Sequence, residues 1–175
     1  MGPATGDADA FSAFVRSSAR SLFGTAYLLT GDGNRAEELV QDTLARLYPR
    51  WPRIAGLDAP LAYARRALAN RFVSQQRRPM SRELVMAELP DAVDTRDIAD
   101  EITDRGVLSQ LLGTLPERQR AALVLRYFHD LPDDEIAAAL GGRPATARSL
   151  LSRGIAAMRE RALQPDTLPH GGGRP

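Results

Sequence analysis

The apolar residues of this 175-residue chain return at every third or fourth position almost throughout, with glycine or proline breaking the pattern at intervals. That period buries one stripe of an α-helix, and no strand-like alternation of useful length competes with it. The sequence therefore predicts an all-α fold. Phe11, Phe14, Val15, Leu22, Ala26 and Leu29 form a first stripe. Gly31-Asp32-Gly33 closes it, because glycine readily takes the left-handed conformation that ends a helix. Ala36, Leu39, Val40, Thr43, Leu44, Leu47 and Trp51 form a second, with Pro49 and Pro52 marking its end. Asp58 reads as the N-cap and Pro60 as a first-turn residue of a third helix, which turns Leu61, Ala64, Leu68 and Phe72 inward.

From residue 79 to 106 the apolar residues thin out and Pro79 and Pro90 interrupt. Three arginines face eight acids there, a net charge of −5, which predicts a flexible acidic linker. Helical spacing resumes near Val107. Leu108, Leu111, Leu112 and Leu115 make one helix, and Pro116 separates it from a second that carries Ala121, Leu123, Val124, Leu125, Tyr127 and Phe128. A short helix ending at Leu140 follows, with Asp133, Asp134 and Glu135 in its first turn, where the helix dipole favours them. Gly141-Gly142 turns the chain, and Pro144 opens a last helix to about Ala162. The organisation expected is two small helical domains, 9–78 and 107–162, joined by the linker and followed by a disordered tail, 163–175.

The chain has no cysteine and two histidines, so a disulfide scaffold, a thiolate metal site and a cysteine nucleophile are excluded. No apolar run approaches the roughly 20 residues of a membrane helix. The first residues lack a basic head followed by an apolar stretch, so a cytoplasmic protein without membrane insertion is expected. No Ser/His/Asp set, phosphate loop or metal-ligand spacing is legible, so no catalytic residue, metal or cofactor is expected. All 23 basic residues are arginine. Residues 1–78 carry eleven against seven acids, and residues 107–175 nine against seven. Two basic units flanking an acidic strap suit polyanion binding at both ends.

Short helix, glycine turn and longer arginine-bearing helix outline a helix-turn-helix. At about 100° per residue, Ala147, Leu151, Gly154 and Met158 fall on one side of the last helix, flanked by Leu150 and Ile155. Arg148, Ser149, Ser152 and Arg153 fall on the other. Small polar residues between arginines let a helix lie deep in a major groove, where arginine reads guanine edges.

At these residues a family resemblance enters. Leu115-Pro116-Glu117-Arg118-Gln119-Arg120, the segment Asp134-Glu135-Ile136-Ala137 with Leu140-Gly141, and Thr146-Ala147-Arg148-Ser149 with Arg153 resemble region four of bacterial sigma factors, above all the compact extracytoplasmic-function group. Ala36-Glu37-Glu38-Leu39-Val40-Gln41-Asp42-Thr43, then Leu47 and Trp51, resemble the polymerase-docking segment of region two. Residues Pro60 to Asn70, with Arg77 and Arg78, are similar to its melting and promoter-reading segment.

The resemblance implies a factor that binds core RNA polymerase and directs promoter-specific initiation. Glu38, Leu39, Gln41 and Asp42 would dock on the clamp helices of the largest subunit, and the C-terminal domain would meet the flap of the second-largest. Arg143, Thr146, Arg148, Ser149, Ser152 and Arg153 would read the −35 duplex. Tyr63, Arg66, Asn70, Arg71, Arg77 and Arg78 would handle the opened −10 strand, with Arg65 adding basic ground for phosphates. Tyr63 serves either as a stacking platform or as a core residue, and Asn70 either captures a base or caps its helix. The acidic strap either lies in the RNA path or is a plain spacer. An anti-sigma protein is a further expected partner. The pattern departs from the family at Arg143 and Pro132, which stand where a capping serine is usual. It departs also at Leu150 and Ile155, which replace basic residues, and at Ser74, where an acid is common. Two other readings stay open: a stand-alone helix-turn-helix regulator, and an adaptor that binds polymerase without reading DNA.

Overall fold

A computed structural model of the chain describes residues 5–75 and 103–164. Arg77, Arg78, most of the predicted linker and the predicted tail from residue 165 lie outside the described residues. Helix α1 spans Thr5–Thr30 and starts ahead of its first apolar anchor, Phe11. It ends at Gly31, whose φ of +72° reverses the chain. Asp32 caps α2, Gly33–Leu47, its carboxylate accepting from the Arg35 N–H at 2.9 Å. Helix α2 ends at Leu47, two residues before Pro49, as the prolines predict. A 3₁₀ turn, Tyr48–Arg50, leads directly into α3, Trp51–Ile54. Each proline stands in a first turn, where its missing N–H removes no bond. Helix α4 is Pro60–Gln75, so Ala59 rather than Asp58 immediately precedes it.

The second module begins earlier than Val107. Helix α5 covers Thr103–Gly113 and so starts inside the segment assigned to the linker. Helix α6 is Glu117–His129 and ends at Asp130, which takes the left-handed conformation with φ 51°. Helix α7 is Asp133–Leu140 and α8 is Pro144–Ala162. Neither has a side-chain cap at its start, in keeping with Pro132 and Arg143 there. The three acids in the first turn of α7 offset that loss through the dipole.

The inward stripes meet as the spacing requires. Leu22, Leu29, Leu39 and Leu68 are at most 1% exposed, and each contributes about 1.5–3 kcal/mol by leaving water. Trp51 closes one end, its ring 5.2 Å from Phe11 and 4.7 Å from Phe14. Leu125, Val124 and Ile136 fill the second module.

The two modules are packed against each other. Helix α1 lies on α5 and α6, and α4 on α6 and α7, so the buried residues form one continuous cluster. Arg120 pins the junction. Its guanidinium donates to the carbonyls of Leu29 at 2.6 Å, Gly113 at 2.9 Å and Leu115 at 3.1 Å, and sits over the Phe72 ring.

Candidate nucleic-acid interface

The helix-turn-helix is built from its back outward. Ala147, Leu151 and Gly154 on α8 are buried. Gly154 is there because a Cβ would come within 2.9 Å of the Leu123 side chain on α6. Gly141, at φ 70°, lets the turn reverse, and the Gly142 N–H donates to the Ala137 carbonyl at 2.9 Å. The turn and the close approach fix the angle of α8. Leu150 and Ile155 are half-buried against the core. The outer face carries Arg143, Thr146, Arg148, Ser152 and Arg153, all exposed, and Ser149, half-buried. Arg148 leans toward Asp133, 3.8 Å away, while its side chain stays 67% exposed. Asp133 is already held by Arg126, so Arg148 is only loosely tied. A row of donors aimed at solvent from a rigid helix can accept phosphates and base edges.

The α4 surface is arranged differently. Ala64, Leu68, Ala69, Phe72 and Val73 face inward. Tyr63 is half-buried against the core, between the two roles left open for it. Arg65 turns back to Ser21, donating to its hydroxyl at 2.6 and 3.2 Å. Arg71 pairs with Asp42 across α2 and α4, and Asp42 also meets Arg46 at 3.4 Å. Arg66 is half-buried and Asn70 exposed, and both are engaged by the second module. The Arg66 guanidinium meets the Glu135 carboxylate at 2.5 Å, and the Asn70 amide donates to the Ala139 carbonyl at 2.7 Å. Both acceptors belong to α7. Asn70 therefore bonds another helix rather than capping its own.

On α2, Glu38 and Gln41 are exposed. Leu39 corrects the sequence reading: at 1% exposed it is a core residue and presents no surface to a partner. His129 bonds Thr25 of α1 at 3.0 Å. Burial, and then the nearby Arg65 charge, push its imidazole down to about 4. Sequence reasoning also missed Arg120 and Glu135 as junction residues.

An apolar groove of about 390 Å³ is lined by residues of α5, α6 and α8. Leu112, Leu123, Tyr127, Phe128, Ile155 and Met158 line most of it. Tyr127 and Phe128 are 61% and 40% exposed, unusual for side chains so apolar. Among the described residues no helix is long and apolar enough to cross a membrane.

Comparison with known proteins bears on both surfaces. Residues 14–82 match the family described as Sigma-70 region 2, and residues 105–158 match Sigma-70, region 4. The chain is 34% identical to an RNA polymerase sigma-E factor of Streptomyces avermitilis, over 90% of this chain and 87% of that protein. It is 33% identical to the protein of the same name in Streptomyces coelicolor, over 89% and 88%. The ECF RNA polymerase sigma factor SigG of Mycobacterium tuberculosis is 31% identical, with 82% of this chain and 46% of that one covered.

Proposed function

The chain belongs to the sigma-70 factors of the extracytoplasmic-function type, and from that membership we propose that it binds core RNA polymerase and directs it to a defined set of promoters. Sigma factors are not enzymes, and the polymerase would perform all the chemistry. The observation that carries the reading is the open outer face of α8 on a helix whose back is locked by Gly154 against Leu123.

In this reading α8 enters the major groove of the −35 element. Arg148 and Arg153 take guanine edges, each worth about 1–3 kcal/mol of discrimination. Thr146, Ser149 and Ser152 reach bases or phosphate, and Arg143 reaches a flanking phosphate. The opened −10 strand runs along α4, with Asn70 offering an amide to a base edge and Tyr63 a ring for stacking. Arg66, Arg71, Arg77 and Arg78 serve its phosphates. Glu38 and Gln41 meet the clamp helices, with Asp42 at the edge of that patch and Leu39 supporting it from within. The groove beside Tyr127 and Phe128 suits apolar side chains of the polymerase flap. An anti-sigma protein would compete for these surfaces. The work takes place in the cytoplasm, where the polymerase is.

Run-off transcription from a genomic promoter library, with purified core enzyme, tests this. Wild-type protein is expected to select a class of start sites. Arg148→Ala with Arg153→Ala is expected to lose that selection while still co-migrating with polymerase. Sequence-specific duplex binding at full strength without polymerase would favour a stand-alone regulator, and unchanged selection in the double variant would favour an adaptor.

A further inference from the structure

We propose that Asp133 is a positioning residue for promoter reading, its carboxylate setting the Arg148 guanidinium toward a base edge and away from the nearest phosphate. The proposal rests on the reading of α8 as the −35 helix. Asp133 and Arg126 are seven positions apart and meet because the left-handed Asp130 turns the chain between α6 and α7. Each suits its own helix end, the arginine in the last turn of α6 and the acid in the first turn of α7. Their ion pair runs from Arg126 Nη2 to Asp133 Oδ1, and the Asp133 side chain is only 24% exposed. The other oxygen, Oδ2, faces Arg148 at 3.8 Å from its Nη1. One carboxylate on α7 thus serves arginines of two other helices, one oxygen to each.

The separation suits guidance without capture. At 3.8 Å the contact is an ion pair and not a hydrogen bond, so Arg148 keeps its N–H donors to spend on DNA. The approach is at Nη1, which leaves the edge formed by Nε and Nη2 whole. That edge is a two-pronged donor set able to take guanine O6 and N7. An exposed arginine loses rotamer freedom when it binds a base, and a fixed charge already beside it lowers that loss. The carboxylate also repels phosphate. Phosphate contacts carry no sequence information, so discouraging Arg148 from taking one raises the ratio of matched to mismatched binding. Arg153 lies on the same exposed face with no ion pair among the described residues, and it serves as the internal comparison.

The test uses the chain assembled with core polymerase and a promoter selected in the run-off library. Its −35 element is substituted one base pair at a time, and binding is measured by competition against the parent promoter. Arg148→Ala and Arg153→Ala first mark the base pair that each arginine reads. Asp133→Asn keeps the side-chain shape and removes the charge. It is expected to lower discrimination about threefold to fivefold at the Arg148 pair and to leave the Arg153 pair as it was. It is also expected to bind a scrambled −35 element about twofold tighter. Added to Arg148→Ala, it is expected to cause no further loss. Asp134→Asn removes the same charge from the same turn and is expected to leave discrimination at the Arg148 pair unchanged. Asp133→Asn also weakens the start of α7, so Arg126→Gln gives a second arm. That variant keeps the acid at the helix start but frees its carboxylate, and is expected to lose discrimination at the same base pair. A loss spread evenly over the element, an equal loss at the Arg153 pair, or no loss in either variant overturns the positioning role and leaves α8 as the −35 reader. Unchanged discrimination at every pair in both arginine-to-alanine variants of α8, or no promoter selected at all, overturns both.

Discussion

Arg148 and Arg153 stand five positions apart on α8 and meet different surroundings, one leaning toward Asp133 and the other exposed. A 3.8 Å ion pair at an exposed side chain holds Arg148 by at most about 1 kcal/mol, less than a good base contact offers. Each arginine changed alone to alanine is therefore expected to reduce discrimination between promoters by roughly 5- to 100-fold, with heparin-resistant complexes counted on matched and mismatched −35 sequences. The selected library promoters supply those sequences. His129 supports a prediction with a definite sign. Its imidazole is held down at about 4 by burial and by Arg65, and the unfolded value is near 6.5. The neutral ring is the one that fits, although Asp130 opposes part of the shift. The stability from this group is therefore complete above about pH 6.5 and falls as pH drops from there toward 4. Melting temperature is expected to fall by a few degrees between pH 7 and pH 5, and His129→Gln to flatten that slope. An unchanged slope in the variant would remove His129 from the account.

At the scale of elements, the turn between α7 and α8 decides how the reading helix is presented. Gly141→Ala forces an L-residue to φ 70° and is expected to cost about 1 kcal/mol by thermal unfolding, with promoter selection falling further than that because α8 tilts. Much of this level was legible in the residues. The period of three and four placed the helices, Gly31 and Gly141 marked two reversals, and the face arithmetic separated Ala147, Leu151 and Gly154 from Arg148 and Arg153. Other features left no local trace. Pro49 and Pro52 marked the end of α2, but the two short helical turns that follow were not legible, because a proline in a first turn removes no bond. Leu39 lies on the same stripe as Ala36, Leu44 and Leu47, and burial follows from that stripe; a docking role came from family pattern and conflicted with it. Asn70 bonds a backbone carbonyl, and every residue has one, so nothing in the letter at position 139 announces it. The Arg66 and Glu135 partners are 69 positions apart, and four-residue spacing on two distant helices gains meaning only once they lie side by side.

For the whole molecule, the two modules pack on one another, and under the proposed function that makes the chain a component rather than a finished binder. Under the proposed function polymerase would supply the surfaces that hold the modules apart in a working complex, and Glu38, Gln41 and the groove beside Tyr127 and Phe128 are exposed to meet it. Phosphate contacts from both modules should make the assembled complex steeply salt-dependent, and each phosphate-binding arginine removed should lower the logarithmic salt slope by about 1. The most direct measurement maps transcript 5′ ends on sheared genomic DNA, with core polymerase alone and with the chain added. The account predicts a discrete set of new starts that share an upstream and a downstream element and depend on the added chain. The same scattered starts with and without it would contradict the account.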